Sequence, residues 1–155
     1  MHNMLYKSGG YMDMNTMDPR YLMYGALSVL DNRIAALQSE DFTDLTMKQH
    51  FLLVSIGMFE ESPTLGQVSE LIGCSYQNVR RMAEQLQAKG YLVICKDEVD
   101  KRKLRLVATQ KLQQFSKEKQ EVTQQFMDRM YQGISETDLM QALKVIQKMT
   151  ENINE

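Results

Sequence analysis

The sequence predicts a mainly α-helical chain with one small β-hairpin: a winged helix-turn-helix held between an α-helical layer drawn from both chain ends. Three observations carry that prediction. Apolar residues recur at helical spacing along most of the chain, and only two prolines and eight glycines punctuate its 155 residues. Two short amphipathic segments meet across "GCS" at 73–75, the length and glycine content of a helix-turn-helix. Directly after them, two short β-branched and apolar runs flank a charged tip, which is a hairpin pattern.

Residues 1–17 are rich in Met, Gly and Asn without a steady period and read as a loose N-terminal arm. Asp18-Pro19 is a helix start, a capping carboxylate followed by proline in the first turn. Leu22, Ala26, Val29, Leu30, Ile34 and Leu37 continue that helix to about 38, and "SEDFTD" (39–44) is a polar link. Thr46 and Gln49 form a capping box that opens a helix through Leu52, Leu53, Ile56 and Phe59, before "EESP" (60–63) breaks it. A second box, Thr64 with Gln67, opens a short helix defined by Leu65, Val68, Leu71 and Ile72, stopping at Gly73. Ser75 caps the next helix, which runs to about Lys89 and ends at Gly90.

"YLVICK" (91–96) and "LRLVAT" (104–109) are the two strands, and "DEVDKRK" (97–103) is their tip. From about Gln110 to Tyr131 a long polar helix carries only Leu112, Phe115, Val122, Phe126 and Met130 on its apolar stripe. Ser135 and Asp138 suit a cap and first turn for a last helix marked by Leu139, Leu143, Ile146, Met149 and Ile153. Stripes this narrow do not make the core of a single chain, and a second copy of the chain is the expected neighbour. The chain thus divides into an arm (1–17), an N-terminal dimerisation helix with its linker (18–44), the winged helix-turn-helix (45–109) and C-terminal dimerisation helices (110–155).

Composition narrows the function. Charged residues at 25% and hydrophobic residues at 43% fit a globular chain, and the longest apolar run, "FLLVSIGMF" (51–59), is far short of a membrane span. No basic region followed by an apolar core opens the chain, and two cysteines make no disulfide framework, so a reducing cytoplasm is expected. The net charge is −2, but it is unevenly spread: residues 1–63 carry −4, residues 64–107 carry +3 and residues 108–155 carry −1. Positive potential confined to the middle third is the footprint of a DNA-reading segment on an acidic scaffold.

Within that segment, "SYQNVRRMAEQLQAKG" (75–90) places Val79, Met82, Ala83 and Leu86 on one stripe. Gln77 and Arg81 then point away from the core, Asn78 and Arg80 lie on the shoulders, and Ser75 and Tyr76 stand at the first turn. These residues occupy the N-terminal half of the helix, the end a recognition helix inserts into the major groove. Amides pair bidentately with adenine and arginine with guanine, at about 1–3 kcal/mol of discrimination per good pair. The plainer alternative is a solvated network in which Arg80 and Arg81 pair with Glu84, at ~0.3 kcal/mol each. The turn before this helix and the hairpin after it favour the DNA reading.

At the tip, Lys101, Arg102, Lys103 and Arg105 crowd beside Asp97, Glu98 and Asp100. Arg102 or Lys101 is expected in a minor groove with neighbours on phosphates, and Asp100 is placed to orient Arg102.

These stretches resemble the MarR family of bacterial transcription regulators. "LTMKQ" (45–49) resembles its L-T-x-x-Q, 65–93 its helix-turn-helix and exit into the wing, and "DEVDKRKLRLVAT" (97–109) its D-x-x-D-x-R…L-T wing, with Asp100, Arg102 and Thr109 in register. The resemblance implies a homodimer that binds a pseudo-palindromic operator on double-stranded DNA, usually as a repressor released by a small ligand or oxidant. By position, Ser75, Gln77, Asn78 and Arg81 would face DNA from the helix, and Asp100 and Arg102 from the wing. The chain departs from the pattern at Ile94 and Cys95, where arginine is common, at Ala108, and in lacking a glycine after Thr109.

Catalytic motifs are missing: there is no phosphate-binding glycine loop, nucleophile elbow or carboxylate pair, and an enzyme is not expected. His2 and His50 are too few and scattered for a metal site, and no cofactor is implied. Cys74 reads as a small core residue in the turn. Cys95, on the first strand, is the candidate for a redox role. Thirteen methionines, six in the first 23 residues, could line an adaptable effector pocket between the helical layer and the reading heads, or fill irregular cores. Two other functional classes stay open on these residues: a winged-helix module that binds protein with weak DNA affinity, and a thiol-based sensor.

Overall fold

A computed structural model describes residues 17–36 and 45–154, with the backbone alone at Asn154. The arm read over 1–17 lies outside these residues except for Met17, as do the end of the first helix at 37–38 and the polar link 39–44. The elements are α1 (Pro19–Ala36), α2 (Met47–Ile56), α3 (Leu65–Ile72), α4 (Tyr76–Ala88), β1 (Leu92–Lys96), β2 (Leu104–Ala108), α5 (Gln110–Met130) and α6 (Glu136–Asn154). This is the predicted class: mainly helical, with a two-stranded antiparallel hairpin behind a helix-turn-helix.

Local chemistry sets the boundaries. Both capping boxes form: the Thr46 and Thr64 hydroxyls accept from the amides of Gln49 and Gln67, whose side chains accept from the Thr46 and Thr64 amides in return. Gly73 ends α3 at φ 63°, a left-handed conformation that L side chains rarely adopt, and its N–H returns to Ser69 and Glu70 carbonyls. The Ser75 hydroxyl then accepts from Asn78 N–H at the start of α4. The second predicted helix stops earlier than expected. It ends at Ile56 rather than near Phe59, because Gly57 tightens the last turn by donating to Val54 and Ser55.

The core is confined to the segment 45–112. Leu52, Leu53 and Ile56 of α2 meet Leu65 and Val68 of α3, the Val79–Met82–Ala83–Leu86 stripe of α4, Leu92 of β1 and Leu106 of β2, with Tyr91 and Leu112 closing one side. The hairpin pairs Leu92 with Ala108 through to Lys96 with Leu104. Leu106 N–H leaves that ladder to donate to Pro63 O at 2.8 Å, tying β2 to the α2–α3 loop. At the junction into α5, Thr109 caps Leu112 N–H while its hydroxyl reaches the Gly90 and Tyr91 carbonyls. Threonine thus holds the wing exit without a following glycine.

The outer helices are different. Neither α1 nor α6 has a buried described residue, and α5 has only Leu112. Tyr21, Tyr24 and Leu30 of α1 and Leu139, Leu143 and Ile146 of α6 stand exposed. Among the described residues the stripe of α6 is buried against nothing, whereas that of α5 begins on the core through Leu112 and Phe115.

Candidate nucleic-acid interface

The recognition surface grows out of the buried stripe of α4. Because Val79, Met82, Ala83 and Leu86 are held in the core, the helix cannot rotate, and Tyr76, Gln77, Asn78, Arg80 and Arg81 are all exposed beside the exposed cap Ser75. All six are exposed, as the helical spacing expects. Arg80 is partly engaged: its Nε donates to Glu84 Oε1 at 2.9 Å, and this pairing raises its already high pKa. Both partners are half exposed, so water or an anion can compete for the guanidinium. Arg81 has no ion pair among the described residues, so of the two arginines it is the more available.

Distant bonds fix this helix further. Gln49, buried at the start of α2, donates to Gln85 Oε1 at 2.8 Å, and Gln87 Oε1 accepts from Ile94 N–H on β1 at 2.6 Å. Neither link is readable from the sequence, since each joins elements by a side chain that local pattern leaves free. The sequence singles out Gln49 only as part of its own capping box.

The wing divides its charges. Arg102 is 91% exposed and oriented by Asp100, with Nε to Oδ1 at 3.0 Å and Nη2 to Oδ2 at 3.3 Å. That bond, more than any other cause, draws the Asp100 carboxyl below the usual range. Lys103 Nζ stands 3.9 Å from the same carboxylate, and Lys101 is exposed. Arg105, grouped with these as a DNA contact, is placed elsewhere. Its guanidinium turns inward to the Asp97 carboxylate and the Ser62 carbonyl, because buried Asp97 and the α2–α3 loop offer it fixed acceptors. Asp97 is held near pKa about 2, first by the Asp100 N–H and then by Arg105.

Cys95 is half-buried on β1, and Cys74 is partly buried against the core in the turn; both are free thiols. Between α2 and α5 lies a cleft of about 270 Å³ lined in part by His50, Leu53, Val54, Leu112, Phe115 and Lys119. Burial pushes the His50 pKa down. A neighbouring cleft of about 520 Å³ runs past Ile56, Phe59, Glu60 and Lys117. Among the described residues no methionine lines either cleft, and Met1, Met4, Met12 and Met14 lie outside those residues. Among the described residues no group of His, Cys, Asp and Glu is placed to hold a metal ion, and no helix is long and apolar enough to cross a membrane.

Residues 43–103 match the MarR family. No curated protein sequence matches the chain. Solved structures share the fold over nearly its whole length. The MarR protein from Peptoclostridium difficile DA00132 aligns with a TM-score of 0.73 at 21% identity, covering 94% of this chain and 95% of that one. The PcaV transcriptional regulator from Streptomyces coelicolor, solved in complex with its natural ligand, aligns at 0.73 and 15% identity over 92% and 98%. FabT from Streptococcus pneumoniae, solved in complex with DNA, aligns at 0.62 and 20% identity over 88% and 98%. At such identities the likeness establishes the fold.

Proposed function

We propose, from the match of residues 43–103 to the MarR family and the fold shared with MarR regulators, that the chain is a homodimeric, sequence-specific DNA-binding repressor of that family. It reads a pseudo-palindromic operator, works in the cytoplasm and is released by a small ligand. The observation that carries this reading is the face of α4. A helix locked by four buried residues presents two amides and two arginines at its N-terminal half, within the one positively charged segment of the chain.

Gln77 and Asn78 are suited to adenine edges and Arg81 to guanine, with Ser75 and Tyr76 at the backbone and Arg80 released from Glu84 when a phosphate competes. Arg102, oriented by Asp100, enters the minor groove beside Lys101 and Lys103. The bare stripes of α1 and α6 are the dimer layer. The α2–α5 cleft, with His50 and Lys119 in its wall, is where the ligand would bind, as the ligand-bound PcaV structure encourages. Nothing in this assignment requires a catalytic step or a cofactor.

One observation favours a second reading, a protein-binding wing: Val99 is 95% exposed at the tip between two acidic residues, a poor neighbour for phosphate. Fluorescence anisotropy against fragments from around the protein's own gene separates the two. Tight binding to one inverted repeat, with log K falling about 0.9 per phosphate contact against log salt, supports the repressor. Weak, sequence-blind binding supports the protein-binding wing.

A further inference from the structure

Asp97 is the buried charged residue of the wing, and Arg105, one-third exposed, turns its guanidinium onto that carboxylate. The Asp97 Oδ1 accepts from Val99 N–H at 2.9 Å and Asp100 N–H at 2.7 Å, so the tip turn is folded around this carboxylate. Its Oδ2 accepts from Arg105 Nε, and Arg105 Nη1 donates to the Ser62 carbonyl. The backbone of Arg105 is itself bridged to Thr64, and the next residue donates to Pro63. One ion pair therefore joins the wing tip, β2 and the loop that leads into the helix-turn-helix.

We propose that Asp97 and Arg105 are positioning residues, a clamp that fixes the wing against the α2–α3 loop so that Arg102 meets DNA at a set distance from α4. The inference rests on the DNA-reading function above and assigns to Arg105 the role of aiming a contact instead of making one. A two-stranded hairpin is marginal on its own, and this one packs its inner face through few side chains while Val93 and Val107 stay exposed. A contact carried by a loose hairpin must order that hairpin on binding; a clamped wing has met the cost already. Arginine suits the place because its planar fork serves a carboxylate and a carbonyl in different directions, which an ammonium does less well.

The sign of one substitution separates aiming from charge. Asp97→Asn removes a negative charge near DNA, so simple electrostatics predicts tighter binding, whereas the clamp predicts weaker binding. The asparagine oxygen can still accept the Val99 and Asp100 amides, which keeps the turn. With the full chain and its operator fragment, Asp97→Asn and Arg105→Gln should each raise Kd about tenfold, the scale of a lost charged hydrogen bond. Arg105→Lys, which keeps the charge, should recover little of that loss. In an Arg102→Ala background neither should change Kd by more than about twofold, because the aimed contact is gone.

Unchanged or tighter binding by Asp97→Asn, or full additivity with Arg102→Ala, overturns the clamp. Amide order parameters over 98–103 test it without DNA: they should fall in both variants, and unchanged values overturn it. If the wild-type protein binds no fragment, the DNA-reading function fails and the order parameters alone decide the clamp.

Discussion

Replacing Leu143 and Ile146 by glutamate should split the proposed dimer and leave each winged-helix head folded. Leu139, Leu143, Ile146 and Ile153 are 39%, 43%, 40% and 83% exposed, which amounts to about two whole side chains per protomer left in water. At about 1.5–3 kcal/mol for each side chain fully buried, a twofold interface gains ~6–12 kcal/mol from this stripe alone. Association costs about 4–15 kcal/mol, so this one helix brings a dimer close to balance, and α1 must supply the surplus. The double variant removes about 1.7 side-chain equivalents from the pair, or ~2.5–5 kcal/mol, before the added cost of opposing carboxylates. The dimer Kd should therefore rise by roughly two to three orders of magnitude.

Sedimentation velocity over a concentration series measures the shift directly. Circular dichroism and chemical denaturation should show the heads intact, since neither residue touches the 45–112 core. A double variant with the wild-type sedimentation coefficient at every concentration would refute the argument that this stripe is the interface. So would a wild-type protein that stays monomeric at high micromolar concentration.

Gln77→Ala and Arg81→Ala should each lose about 1–3 kcal/mol of preference for operator over random DNA, whereas Arg102→Ala should weaken both more evenly; anisotropy on the two DNAs distinguishes them. The folded Asp97 has a pKa of about 2 against an ordinary 3.8, so the stability it contributes is complete above about pH 4 and is lost as pH falls toward 2. The Val99 and Asp100 amide shifts should titrate with a midpoint near 2 and not near 3.8, and Asp97→Asn should abolish that titration. Leu106→Ala, at a fully buried site facing α3, should cost about 2–5 kcal/mol in denaturant unfolding, while Leu143→Ala in a monomeric background should cost less than about 0.5 kcal/mol.

Where local chemistry decides an element, the sequence shows it. Thr46–Gln49 and Thr64–Gln67 are reciprocal caps that need no other part of the chain, and both form where the spacing places them. The orientation of α4 is readable for the same reason: four apolar residues on one stripe leave Gln77 and Arg81 no direction but outward. Arg105 shows the limit. Its side chain could reach a phosphate, Asp97 or nothing, and only the passage of the α2–α3 loop behind β2 brings the Ser62 carbonyl within its reach, 43 residues away in the chain. Gln49 is similar, since its capping role is local but its bond to Gln85 exists only once α2 and α4 have packed. Charge clusters reveal that a surface is basic; tertiary packing decides which members of the cluster are free.

That division bears on how the regulator would be controlled. The heads have a core of their own, while α1 and α6 lack one, so losing the dimer should cost the wild-type protein operator affinity well before it costs the fold. Two linked heads gain by effective concentration, and separating them forfeits that gain even if every base contact remains possible. A ligand in the α2–α5 cleft therefore need not touch α4. The cleft is walled on one side by the α2 residues His50, Leu53 and Val54, whose helix carries the head, and on the other by Phe115 and Lys119 of α5, whose helix leads to the bare stripes. In the proposed dimer, a small change in the angle between those helices would move the two recognition helices out of one-turn spacing, and specificity for a paired site would be lost together with affinity.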